Sequence, residues 1–243
     1  MILAVAGMHR SGTSMLARYL HHAGICMGTE LYEDRTTNPY GHYEDVEFLT
    51  LQRRELARAF DGEDYLVHRD FVPSEEFLEG ARRLLEARRS EFGSRSWGWK
   101  DPRTTLFLDE WKRLEPDLLV VALVREPRRV VDSLCARLRG YRSIRKKELF
   151  LRTYAHYNAK IVRFLERHPG GALVLSLERL VEDPSGALGK LSDASGHRFD
   201  PALFRELFDP KVLSRKRRAA LFLNRRGLRE AEAIHRELVS ASL

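Results

Sequence analysis

The stretch "ILAVAGMHRSGTSMLARYLHHAG", residues 2–24, constrains the fold more than any other part of the chain. Residues 2–6 are apolar without polar alternation, the pattern of a parallel strand covered on both faces. Gly7 and Gly12 bracket a tight loop, and "TSMLARYLHH" carries helical periodicity up to Gly24, a stop signal. A strand that enters a helix through a glycine loop leaves the first backbone N–H groups of the helix, and the positive end of its dipole, at the strand's carboxyl end. Such a place binds anions.

The loop keeps the glycine spacing of the phosphate-gripping pattern G-x-x-x-x-G-K-[ST], but Thr13 stands where the lysine belongs. Arg10, inside the loop, supplies a cation in its place. Two later apolar runs, "LLVVALV" (118–124) and "ALVLSL" (172–177), also read as buried strands. Between the strands, Phe77, Leu78, Ala81, Leu84, Leu85 and Phe92 recur at helical spacing, as do Phe150, Tyr154, Tyr157, Ile161, Phe164 and Leu165. These are core stripes. The order β, α, α, β, α, α, β, α gives an α/β fold, one domain over residues 1–243 with a central parallel sheet flanked by helices. Ligands of such sheets bind beyond the carboxyl ends of the strands.

Charge favours an anionic ligand: 42 Lys and Arg against 35 Asp and Glu give a formal net charge of +7. The basic residues are interleaved with acids, and no zinc-ligand set or RNP-like strand accompanies them, so nucleic acid is not expected as a partner. Two cysteines, Cys26 and Cys135, make no disulfide framework, and no Cys/His cluster has metal-ligand spacing. The opening residues lack a charged n-region and the apolar runs are too short to span a bilayer, so a cytoplasmic protein without membrane segments is expected.

A kinase or nucleotide hydrolase also needs an acid to hold magnesium, commonly an Asp at the end of an apolar strand. Neither later strand supplies one. "LLVVALV" runs instead into "REPRRVVDSL", placing Arg125 at the strand's carboxyl end and Ser133 eight residues on, in a helix that Pro127 begins. A cation and a hydroxyl converging there suit a second anionic group.

In these motifs the chain resembles the sulfotransferases that use 3'-phosphoadenosine 5'-phosphosulfate (PAPS). The R/K-S-G-T loop that such enzymes use for the 5'-phosphosulfate is matched by Arg10, Ser11, Gly12, Thr13 and Ser14, and their Arg and Ser for the 3'-phosphate by Arg125 and Ser133. A strand running into "YE-x-L" and an acidic-Pro pair is matched by "LSLERLVEDP" (175–184), with Leu177 for the usual Tyr. The resemblance implies a P-loop-like sulfotransferase fold, PAPS as cofactor and a small-molecule, carbohydrate or peptide acceptor with a hydroxyl or amine to be sulfated. It also implies catalytic roles. "WGWKDPR" (97–103) is similar to a segment whose lysine faces the sulfuryl group, which makes Lys100 a candidate, and "NPYGHYEDVEF" (38–48) is similar to a segment whose acid lies near the acceptor. Glu44 is then the general base, with Asp45 and His42 as rivals.

The chemistry needs these residue types. Sulfuryl transfer is an in-line displacement with a loose transition state, so the enzyme supplies mainly positioning and charge stabilisation. Arg10, Lys100 and the loop N–H groups meet the developing charge, Glu44 takes the acceptor's proton, and no metal is required. Two other classes fit the loop alone: an ATP-dependent small-molecule kinase, opposed by the missing lysine at position 13, and an inert adenine-nucleotide-binding module, opposed by the candidate bases. "LSRKRRAALF" (213–222) could close over the 3'-phosphate, and "RLRGYRSIRKKE" (137–148) could favour an acidic acceptor.

Overall fold

A computed structural model describes residues 1–34, 41–138, 144–210 and 225–242. The first strand, β1 (Ile2–Ala6), leads through the glycine loop into α1 (Thr13–His22), and α2 (Val46–Ala59) and α3 (Glu75–Phe92) follow. Next come β2 (Trp97–Lys100), a 3-10 turn (Pro102–Phe107) and α4 (Leu108–Leu114). β3 (Leu119–Val124), α5 (Pro127–Arg137), α6 (Ile144–Arg167) and β4 (Ala172–Ser176) complete the sheet. The chain closes with α7 (Leu177–Glu182), α8 (Pro184–Ser195), α9 (Pro201–Leu207) and α10 (Arg225–Ala241). The four strands are all parallel, in the order β2-β1-β3-β4.

The expected strands at 2–6, 118–124 and 172–177 are present; β2 was not foreseen. "WGWK" is only four residues long and holds a glycine and a lysine, so although Trp favours strands its length and pattern do not mark it as one. Packing makes it one. Trp97 and Trp99 share one face of the strand by its two-residue period, and Trp99 stacks on Phe48 of α2 at 4.3 Å and lies 5.0 Å from Trp111 of α4. The same alternation turns Lys100 to the opposite face at the strand's carboxyl end.

Two apolar layers cover the sheet. Leu3, Val5, Val121, Leu123 and Leu175 pack with α1 and α7 to α9, whereas Ala4, Ala6, Val120, Ala122 and Val124 pack with α2 to α6 and α10. The loop after β1 therefore leaves toward one face and the loop after β3, entering α5, toward the other. Their divergence opens the crevice in which ligands of open α/β sheets bind.

Local signals mostly act as the sequence implies. Gly24 closes α1 with two backbone bonds, its own N–H to His21 O (3.2 Å) and that of Ile25 to Leu20 O (3.0 Å), and Pro127 opens α5. Gly7 is required sterically: at φ +135° a Cβ would lie 2.3 Å from the carbonyl oxygen of Leu123 on β3. Gly7→Ala is expected to destabilise the fold by about 1–3 kcal/mol, read from the denaturation midpoint. An unchanged midpoint would show that the loop does not lie against β3.

Candidate active site

The crevice gathers the residues that the sequence singled out. Arg10 sits at φ +71°, a left-handed conformation that costs about 1–2 kcal/mol outside glycine and must be held by its surroundings. Two contacts hold it. Its Nε donates to Ser133 Oγ at 2.9 Å, and its carbonyl accepts from Arg125 Nη1 at 2.9 Å. The loop after β1, the end of β3 and α5 are thus tied together at the switch point. Tyr154 of α6, a core-stripe residue, fixes the Arg125 backbone by donating to its carbonyl at 2.8 Å.

This cluster is cationic and short of acceptors. Burial pushes the Arg125 guanidinium down to about 10 despite the nearby Glu178 carboxylate, and burial also lowers Arg10. Arg125 Nε and Ser11 Oγ are buried without a hydrogen-bond partner among the described residues, a state that costs free energy unless a ligand fills it. The helix starts agree. α2, α3, α7, α8 and α9 each receive a side-chain cap, while α1 and α5, which open into the crevice, receive none; α4, also uncapped, continues directly from the 3-10 turn. Gly12, at φ +94°, and Thr13 and Ser14 behind it place the uncapped N–H groups of α1 beside Arg10.

A second cluster lies on the β2 side. Lys100 Nζ donates to Glu44 Oε1 at 2.5 Å, to Ser14 Oγ at 3.0 Å and to the His42 carbonyl at 3.2 Å. Ser14 joins it to the loop after β1. Burial alone would raise the Glu44 carboxyl, but the adjoining Lys100 ammonium, with smaller help from His42 and Arg103, holds it below the ordinary carboxylate range. Its second oxygen, Oε2, accepts no hydrogen bond among the described residues and is not sealed from solvent. Burial lowers the His42 ring against the opposing pull of Glu44, whose Oε1 lies 3.9 Å away.

Asp45, the other rival base, is used elsewhere. Its carboxylate caps α2 through Glu47 N (3.0 Å) and Phe48 N (3.3 Å), accepts from Thr29 N (3.1 Å) and pairs with Arg88 at 3.0 Å. Asp101, next to Lys100, is likewise structural: it caps the 3-10 turn through Arg103 N and accepts from Gln52 and the Arg103 side chain.

Some residues of the site escaped the sequence reading. Thr105 Oγ1 accepts from Gly7 N at 2.8 Å and so anchors the loop. His9, inside the quoted loop, is buried against Tyr65 with ring centroids 4.1 Å apart and lies 5.7 Å from the Tyr157 ring. Leu177, in the place of the usual Tyr, is buried beneath Gly12 and presents no ring to a base. Residues 35–40, including Asn38 and Pro39, residues 139–143 of the basic insert, and all of 213–222 lie outside the described residues.

With this geometry in place, the comparisons with known proteins are direct. Residues 3–201 match the sequence model of the sulfotransferase family, and the chain belongs to that family. Its structure is similar to the sulfotransferase domain of the Synechococcus PCC 7002 olefin synthase, at 20% identity and a TM-score of 0.59 over 96% of this chain and 93% of that one. It is similar too to the sulfotransferase domain from the curacin biosynthetic pathway (14%, TM-score 0.58, 98% and 97% covered). A third similar structure is sulfotransferase STF9 from Mycobacterium avium (16%, TM-score 0.62, 98% and 76%). At these identities the likeness is one of fold. A search of curated protein sequences finds no match. Among the described residues, no helix is long and apolar enough to cross a membrane.

The two readings of Asp45 separate cleanly. Asp45→Asn breaks a buried ion pair and is expected to destabilise the fold by about 3–5 kcal/mol while the folded fraction keeps turnover within a few-fold. Full stability with abolished turnover would instead make Asp45 the base.

Proposed function

We propose that this sulfotransferase moves a sulfuryl group from PAPS to a hydroxyl or amine acceptor, with Glu44 as general base. The observation that carries the reading is the buried, anion-short cluster at the switch point: Arg10, Arg125 and Ser133 joined at 2.9 Å, with Ser11 Oγ and Arg125 Nε left unpartnered among the described residues beside two uncapped helix starts. These groups fit a ligand with two separate anionic ends. Arg10, Ser11, Gly12, Thr13 and Ser14 hold the 5'-phosphosulfate, and Arg125 and Ser133 hold the 3'-phosphate. When bound, PAPS supplies the sulfuryl group and a phosphate as its leaving group.

Across the crevice, Lys100 and Glu44 divide the remaining work. Lys100 places a positive charge beside Ser14 at the start of α1, where it can stabilise charge growing on the transferring group. Glu44 is ionised at neutral pH, keeps Oε2 open, and takes the acceptor's proton there as the acceptor oxygen attacks. Its ion pair makes it a weak base at rest. As Lys100 turns its charge toward the transferring group, burial restores the carboxyl's basicity. Because the charges the reaction needs come from Arg10 and Lys100, turnover is expected to survive EDTA.

Donor and base are tested separately. Adenosine 3',5'-bisphosphate is expected to raise the melting temperature well above the effect of ADP or of ATP with magnesium, since it alone fills both anion sites. Equal stabilisation by ATP with magnesium would favour a kinase. Glu44→Gln is expected to lower turnover with labelled PAPS by about a hundred- to ten-thousand-fold while bisphosphate affinity holds. Lys100→Ala and Arg10→Ala lower turnover more than affinity.

The pH dependence follows from the sign of the Glu44 shift. A base held below its usual range keeps wild-type activity until the pH falls through that lowered value. In Lys100→Met the lowering partner is gone, so the acid limb of the residual activity moves to higher pH. An acid limb that stays in place, or a Glu44→Gln variant near wild type beside an inactive His42→Asn, would assign the base elsewhere.

A further inference from the structure

Resting on the sulfotransferase reading, a feature of the crevice beside His9 bears on the acceptor. Tyr65 lies in the loop between α2 and α3, its ring half-buried and propped against His9 at 4.1 Å, tilted by 38°. Three other tyrosines packed into the fold have partners for their hydroxyls. Tyr19 donates to Asp200 O at 3.1 Å, Tyr154 to Arg125 O at 2.8 Å, and Tyr157 meets His9 Nε2 at 3.5 Å. The Tyr65 hydroxyl has no hydrogen-bond partner among the described residues.

Its surroundings define what it can bind. The ring stands against His9, the residue before Arg10, and Asp64, the residue before Tyr65, accepts through its carbonyl from Arg103 Nε at 2.7 Å just past the end of β2, so the phenol lies in the crevice within electrostatic reach of Arg10, Arg103 and Glu44. Burial keeps the phenol protonated, so it is a donor. Glu44 Oε2 is suited to the proton of the attacking hydroxyl, and Tyr65 Oη is left to give a hydrogen bond to a different oxygen of the same molecule.

We propose that Tyr65 is a specificity-determining residue of the acceptor subsite, donating to a second oxygen that the acceptor carries besides the hydroxyl to be sulfated, as in a diol. A site built to hydrogen-bond a substrate oxygen discriminates against the analogue that lacks it, because the protein donor is then left unpaired.

The test uses PAPS with paired probes: catechol against phenol, a methyl glycoside against its monodeoxy analogue, and glycerol against 1-propanol. The wild type is expected to sulfate at least one diol about ten-fold faster in kcat/KM than its partner. Tyr65→Phe, which keeps the ring against His9 and removes only the hydroxyl, is expected to erase that preference with bisphosphate affinity unchanged. Equal rates within every pair, a preference that survives Tyr65→Phe, or a wild type that sulfates none of the diols would overturn the proposal. Release of adenosine 3',5'-bisphosphate and sulfate from PAPS, measured without acceptor, separates the two failures: if it persists, the donor reading stands and only the acceptor proposal falls.

Discussion

The site depends on one strained residue. Arg10 is held in a left-handed conformation by a hydrogen bond from its side chain to Ser133 and one from Arg125 to its carbonyl. Remove the first and the loop loses this tie to α5; remove the second and it loses this tie to the end of β3, the two elements that make the far wall of the crevice. The arrangement concentrates buried positive charge where no carboxylate answers it fully, at a cost of the kind that folds accept at functional sites. A ligand carrying two anions returns that energy as affinity, which is why the cluster supports a donor with phosphates at both ends of a nucleoside.

The β2 side is organised by a different force. An aromatic cluster of Phe48, Phe77, Trp99, Phe107 and Trp111 fixes the strand from one face, and the two-residue alternation sends Lys100 to the other. Lys100 then meets Ser14 of α1 and Glu44 of the segment leading into α2. Hydrophobic packing thereby determines where the Lys100 ammonium, the proposed catalytic charge, sits, while Asp45, one residue beyond Glu44, is consumed in holding α2 and Arg88. Adjacent carboxylates receive opposite assignments from their environments.

Much of this was legible in the sequence, for identifiable reasons. Arg10, Ser11, Gly12, Thr13, Ser14, Arg125 and Ser133 could be placed because local grammar carries them: apolar strands, glycine spacing and a helix-opening proline. Lys100 was legible only through resemblance, since its strand is four residues long and is held by tryptophan packing across the chain that no local pattern reports. His9, Tyr65 and Thr105 were invisible. His9 resides in the loop that was read most closely, yet its role comes from a ring 56 residues away in an aperiodic segment, and nothing in spacing reports such a contact. Asp45 shows the converse. Sequence could not distinguish it from Glu44, because the partner that decides the matter, Arg88, is a helix residue whose side chain is buried only in the assembled fold.

The central claim is that the end of β3 binds a 3'-phosphate, and calorimetric titration of two nucleotides into two proteins tests it most directly. Adenosine 3',5'-bisphosphate and adenosine 5'-phosphate, each titrated into wild type and Arg125→Ala, form a cycle that isolates the pairing of Arg125 with the 3'-phosphate. The account predicts that wild type prefers the bisphosphate by roughly ten- to a hundred-fold, the scale of a charge-assisted hydrogen bond, and that Arg125→Ala loses most of that preference while 5'-phosphate affinity changes little. Equal affinity of wild type for the two nucleotides, or a preference undiminished in Arg125→Ala, would contradict it.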